Sequence, residues 1–222
     1  MRNNYELAGH RLAHEWVSCL ELALEGIMAG SLGISAVITK QDGTIISRGR
    51  NQLFDAQASV NILKMNPVAH AEINALANLP LKYQKNKSLR LYTTVEPCPM
   101  CLGAIVMSRI RHVRVGSRDN WASVTDMLSM HPYLKKKNVR VDFPETRQLE
   151  ILFLALHAYS ILKNNHIEKT HPIFQTWRNV SSTAIDMAIS LNTDRQFAAL
   201  IEAGEKEGAI EWVFGLIEKT EK

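Results

Sequence analysis

The chain has 222 residues, 46% of them hydrophobic and 22% charged, with a formal net charge of +4. That make-up belongs to a soluble globular protein with a real core, and it excludes a disordered chain, a collagen-like fibre and a disulfide-stapled mini-protein. The longest nearly apolar run, Ile151 to Tyr159, is nine residues long and contains His157, so no membrane span is expected.

Charge divides unevenly. Residues 1–144 hold 18 Lys and Arg against 11 Asp and Glu, whereas residues 145–222 hold 8 against 11. A basic first part either attracts a polyanion such as RNA or is simply a solvated surface; charge alone does not choose. Three cysteines cannot all pair, and no apolar leader follows Met1, so a reducing cytoplasm is the expected compartment.

In chain order, Leu12, Trp16, Leu20, Leu24 and Met28 recur at near-helical spacing and predict a helix, with Cys19 as a buried small hydrophobe. Gly33 to Thr39 and Ile45 to Gly49 read as a hairpin around Gln41-Asp42-Gly43-Thr44. A long loop then leads to a helix from Val68 to Leu79, a strand from Leu89 to Thr94 and a helix from Pro97 to about Arg109. Strands at His112 to Gly116 and Asn138 to Phe143 follow. This alternation predicts an α/β layered domain over 1–144. From Glu145 the pattern becomes all-helical: Arg147 to Lys163, Ile173 to Leu191, and Arg195 to Lys219 with a break near Gly204 to Gly208. The first of these is apolar round most of its circumference and so must be buried.

Two motifs carry chemistry: His70-Ala71-Glu72 and Pro97-Cys98-Pro99-Met100-Cys101. One imidazole and two thiolates are three ligands that suit zinc, leaving a fourth tetrahedral position for water as in a catalytic site. The helix start at Pro97 would favour thiolate over thiol, and a second helix start at His70 would let both motifs converge on one metal. Glu72 lies about 200° round a helix from His70, so it would stand beside the metal without binding it, as a proton shuttle must. The duller readings are a zinc-stapled loop or a redox Cys pair.

With His-x-Glu followed by Pro-Cys-x-x-Cys, the chain resembles the cytidine deaminase-like superfamily of zinc nucleobase deaminases. Within it, the likeness is to bacterial tRNA adenosine deaminases and to guanine and cytosine deaminases. It covers roughly residues 10–143, including Asn51, Thr93 to Cys101, Ser108-Arg109-Ile110 and Gly116-Ser117-Arg118-Asp119. The resemblance implies a three-layer α/β/α domain with a central mixed sheet, one Zn²⁺ held by His70, Cys98 and Cys101, and Glu72 as the catalytic acid and base. It further implies that Asn51 hydrogen-bonds the base, that the backbone at Ala71 meets its far edge, and that Asp119 lies beside the substrate. A homodimer is also expected. The duller alternative for both Asn51 and Asp119 is a turn residue.

The implied reaction replaces an exocyclic amine by oxygen and releases ammonia, with adenosine in tRNA the first expectation and a free base, nucleoside or related aminated heterocycle of guanine, cytosine or adenine type the alternative. Adenosine in tRNA fits Gly116 to Asp119, and Arg109, Arg111, Arg114, Arg118, Lys135 to Lys137 and Arg140 would then line an RNA path. A free base or nucleoside fits two departures from the tRNA branch: an insertion around Phe54 to Lys64 and the 78-residue helical extension of 145–222. A zinc-stabilised partner subunit without turnover is a third reading, against which the intact Glu72 speaks.

Overall fold

The computed structural model describes residues 5–55, 63–164 and 167–220. Much of the insertion expected at Phe54 to Lys64 therefore lies outside the described residues. A short β1–β2 pairing (Glu6–Leu7 with His10–Arg11) precedes α1 (His14–Met28). The hairpin β3 (Ser35–Thr39) and β4 (Ile45–Arg50) turns at Asp42, whose Oδ1 accepts from Thr44 N at 2.9 Å. Then come α2 (Ala71–Ala77), β5 (Arg90–Thr93), α3 (Pro99–Met107) and β6 (His112–Val115). Two short helices that the sequence reading missed, α4 (Met127–Met130) and α5 (Pro132–Lys137), lead to β7 (Arg140–Asp142).

Among the described residues, the main sheet has the order β4-β3-β5-β6-β7. It is antiparallel from β4 to β5 and parallel from β5 to β7, hence mixed as expected. Alternation along the strands sorts side chains to two cores. Ala36, Ile38 and Leu91 face α2 and α3, while Val37 and Tyr92 face α1 and the C-terminal helices.

Those helices are α6 (Arg147–Lys163), α7 (Pro172–Thr193), α8 (Arg195–Ala203) and α9 (Lys206–Lys219). Every residue of α6 from Leu149 to Leu162 is buried, which explains its all-round apolar sequence. Its Phe153 packs on Trp16 of α1 with ring centroids 5.6 Å apart. The helix also lies so close to the end of β6 that a Cβ at Gly116 would stand 2.5 Å from the Phe153 ring. One apolar core thus runs from α1 through α6 to α9. The break at Gly204 is a left-handed turn (φ +73°) between α8 and α9.

The helix expected from Ile173 to Leu191 is kinked at Ser181 (φ −156°, ψ 107°). The Ser181 hydroxyl accepts from Ala184 N at 3.1 Å and restarts the helix as an N-cap. The freed Val180 carbonyl accepts from Arg147 Nη1 at 2.7 Å. The charge asymmetry is partly consumed in the same region. Glu150 of α6 accepts from Arg118 at 2.8 Å and from Arg147 at 3.0 Å, and Arg114 pairs with Glu145.

Candidate active site

The two motifs meet because each sits at a helix start aimed at the same edge of the sheet. Helix α2 rests on β4 almost backbone to backbone: a Cβ at Gly49 would lie 2.3 Å from Ala71 O and Ala75 N, so only glycine permits the approach. Asn74 and Asn78 donate to the Arg50 and Arg48 carbonyls at 3.0 Å each, which fixes the helix along the strand.

Both helices begin later than the sequence suggests. His70 is the N-cap of α2 rather than part of its first turn, because the turn at Asn66 to Val68 bonds His70 N to Val68 O at 2.7 Å. Cys98 is the N-cap of α3, since a residue before proline is pushed out of the helical region by Pro99. Cys101 lies one turn in and is fully buried.

The geometry fits a metal. His70 Nδ1 lies 3.7 Å from Cys98 Sγ and 3.5 Å from Cys101 Sγ, and the three ligand atoms are all within 4.8 Å of one another. Tetrahedral zinc, with thiolate and imidazole bonds of about 2.3 and 2.0 Å, sets sulfur and nitrogen donors about 3.5 Å apart. The donor set and its spacing therefore match that ion.

Without a cation the three groups share protons. Hydrogen bonding from Cys101 and from His70 pulls the Cys98 thiol down to about 4 against the opposing effect of burial. The adjacent Cys98, together with burial and Glu72, pushes Cys101 far up. His70 is raised, chiefly by its bond to Cys98. A divalent ion would replace those protons.

Glu72 is buried beside the cluster and does not join it. Its Oε2 accepts from Cys101 Sγ at 3.3 Å and its Oε1 from Thr93 Oγ1 at 3.2 Å. Burial raises its carboxyl above the usual range, as a group that must take up and return a proton requires.

In front of the cluster lies a cavity of about 170 Å³. That is small beside the roughly 300–1,000 Å³ of pockets for drug-sized ligands, and it suits a single heterocycle. Asn51, Ala71 and Asp119 all line it, together with His70, Glu72 and Cys98. Asn51 is 1% exposed; its Oδ1 accepts from Leu53 N at 3.2 Å, while its Nδ2 has no partner among the described residues. An orphaned buried donor costs about 1–3 kcal/mol, which the fold carries without recompense until something in the cavity accepts from it.

Asp119 faces the cavity with one of its two carboxylate oxygens engaged: Oδ1 accepts from Trp121 N at 2.9 Å and from Trp177 Nε1 at 2.7 Å. The remaining wall comes from residues that motif reading missed. His157 of α6 and Ile173 and Trp177 of α7 close one side, and Glu96 and Trp121 lie beside Asp119. The only available signal was His157 itself, a lone polar residue inside the run from Ile151 to Tyr159. Cys19 is buried as expected, its thiol pushed up to about 12 by that burial. Among the described residues, no helix is long and apolar enough to cross a membrane.

Residues 14–117 match the family model for the cytidine and deoxycytidylate deaminase zinc-binding region. The tRNA-specific adenosine deaminase of Haemophilus influenzae is 38% identical over 102 residues, which are 45% of this chain and 54% of that protein. The chain thus spans about half the length of that relative. The guanine deaminase of Bacillus subtilis is 29% identical over 164 residues, 72% of this chain and 90% of that protein. A solved structure of guanine deaminase from Nitrosomonas europaea has a TM-score of 0.50 at 22% identity, covering 66% of this chain and 82% of that one, which is a likeness of fold. Through residues 14–117, just under half of its length, this chain is therefore similar to the cytidine and deoxycytidylate deaminase zinc-binding region, beside its likeness to a tRNA adenosine deaminase and a guanine deaminase.

Proposed function

We propose that the protein is a zinc-dependent hydrolytic deaminase of a free base, nucleoside or related aminated heterocycle, of guanine, cytosine or adenine type. In this reading residues 1–144 are the deaminase unit and 145–222 an extension that completes its pocket. One observation carries the choice of a small substrate: His157, Ile173 and Trp177 of the extension wall the cavity in front of the metal-ligand cluster. The match to a guanine deaminase over 164 residues, against 102 for the tRNA enzyme, supports it. So does the use of Arg114 and Arg118 in ion pairs with Glu145 and Glu150, which withdraws them from an RNA path.

His70, Cys98 and Cys101 would hold zinc, which would supply the Lewis acidity that makes water a nucleophile near neutral pH. Glu72 takes a proton from the attacking water and delivers it to the ring nitrogen beside the amine-bearing carbon. A second proton passes through Glu72 to the amine, which leaves as ammonia while the carbon keeps the water's oxygen. One water is consumed and one ammonia released. Asn51 Nδ2 donates to the base, and the Ala71 backbone meets its edge. A reducing cytoplasm suits the site, because Cys98 and Cys101 must stay unoxidised to bind metal.

A homodimer belongs to the same reading. Met107, Met130 and Tyr133 are exposed, with Tyr133 Oη donating to Met107 Sδ at 3.5 Å, and a second copy would cover this apolar face. Light scattering at twice the chain mass tests it.

The second reading, adenosine in tRNA, is favoured by the 38% identity to a tRNA adenosine deaminase and by the exposed Lys135 and Lys136. Ammonia release by zinc-loaded protein from guanine, adenine, cytosine and their nucleosides, run beside bulk tRNA, separates the two. Release from a small molecule is expected. Release from tRNA alone, with inosine in the digest, overturns the small-substrate reading, and no release from either leaves a non-catalytic zinc protein.

A further inference from the structure

Among the described residues, four buried side-chain polar atoms lack a hydrogen-bond partner, and two of them, Asn51 Nδ2 and His157 Nδ1, belong to residues lining the cavity. The other two, on Trp16 and Thr39, belong to residues outside it. The family resemblance accounts for Asn51. It does not reach His157, which lies 40 residues beyond the segment that the family model covers.

His157 is 6% exposed, within the run Ile151 to Tyr159 whose other members are all hydrophobic. An apolar ring of the same size would fill that space without orphaning a nitrogen. The imidazole is also held in place. It packs on Trp177 with centroids 4.6 Å apart, and Trp177 is anchored by its 2.7 Å bond to Asp119. Burial lowers the His157 pKa to about 4 despite the facing Asp119, with His70 acting in the same direction as burial. At neutral pH the ring is therefore uncharged and offers one donor and one acceptor, which suits a neutral heterocycle.

We propose that His157 is a specificity-determining residue, hydrogen-bonding an edge atom of the bound heterocycle through Nδ1 while Asn51 holds the same molecule from the metal side of the cavity. The inference rests on the reading of the cavity as a site for a small base. It assigns Asp119 a positioning role, through Trp177, rather than a place against the substrate.

The test compares wild type, His157→Phe and His157→Gln in calorimetric binding and steady-state kinetics with guanine, adenine and cytosine, with zinc content and thermal midpoint measured on each. Phenylalanine keeps the packing on Trp177 and removes the orphaned nitrogen. The expected result is about tenfold weaker binding of the preferred base and a matching rise in KM, the loss of one hydrogen bond. Discrimination among the three bases should shrink, zinc content should stay at one per chain, and the thermal midpoint of the unliganded protein should hold or rise. Glutamine, which keeps a hydrogen-bonding group, should recover part of the affinity and decides the matter if the phenylalanine variant does not fold. Affinity and discrimination within twofold of wild type in a folded, zinc-replete variant overturn the assignment of His157 alone. A wild-type protein that binds none of the bases but deaminates tRNA overturns the small-substrate reading, and this inference with it.

Discussion

The cavity has two walls of different origin. The metal wall, His70 to Cys101, is built from two short motifs at helix starts, and its residues are fixed by local backbone geometry. The other wall, His157, Ile173 and Trp177, is made of single residues spaced along helices that otherwise form the core shared with α1. Bond-making chemistry demands fixed spacing between a few atoms, and that demand prints itself on the sequence. Recognition demands only that a side chain arrive from somewhere, and a core helix can deliver it without leaving a pattern. On the proposed reading, reaction belongs to one wall and selection to the other.

The sharpest way to break that division is Glu72→Ala. Turnover should fall by about 10³-fold or more, the scale of a lost general acid and base. Zinc stoichiometry and base affinity should persist, because Glu72 is outside the three-donor cluster. A large change in affinity, read by calorimetry, would blur the two walls into one.

A smaller effect comes from protonating the selection wall. His157 sits near pKa 4 when folded and near the ordinary 6.5 when unfolded, so between those values the unfolded chain binds more protons. Stability should therefore fall as pH drops from about 6.5 towards 4, by up to about 3 kcal/mol from this group. The difference between wild type and His157→Phe in urea unfolding at pH 7, 6 and 5 isolates that component from the carboxylates. A pH-independent difference would place the ring in contact with solvent.

Smallest is Asp119→Ala, which strands the buried Trp177 Nε1 and should cost about 1–3 kcal/mol of stability. Its kinetic mark should be a raised KM with kcat nearly kept, since Asp119 orients the selection wall and touches none of the three metal donors. A loss confined to kcat would move Asp119 to the reaction wall.

Much of this was legible beforehand, for identifiable reasons. The α1 stripe from Trp16 to Met28, the hairpin around Asp42-Gly43 and the all-apolar α6 each repeat one local rule several times over. The starts of α2 and α3 were misplaced by a few residues because helix periodicity continues through Val68 and Pro97, while the turn at Asn66 and the Cys98-Pro99 pair override it. The kink at Ser181 was hidden in a sequence that keeps its helical stripe on both sides. The anchoring of Trp177 by Asp119 joins residues 58 positions apart, and no local pattern connects them.

The order of the two walls along the chain has a consequence for biosynthesis. Cys101 leaves the ribosome 76 residues before Trp177, about 4–15 s at ordinary elongation rates. During that interval the nascent chain can bring His70, Cys98 and Cys101 together while the site is still open on the side that α6 and α7 will cover. Metal has access then from a direction that is later closed. The flank of α1 that carries Trp16, Leu20 and Leu24 meanwhile awaits α6, its partner in the core.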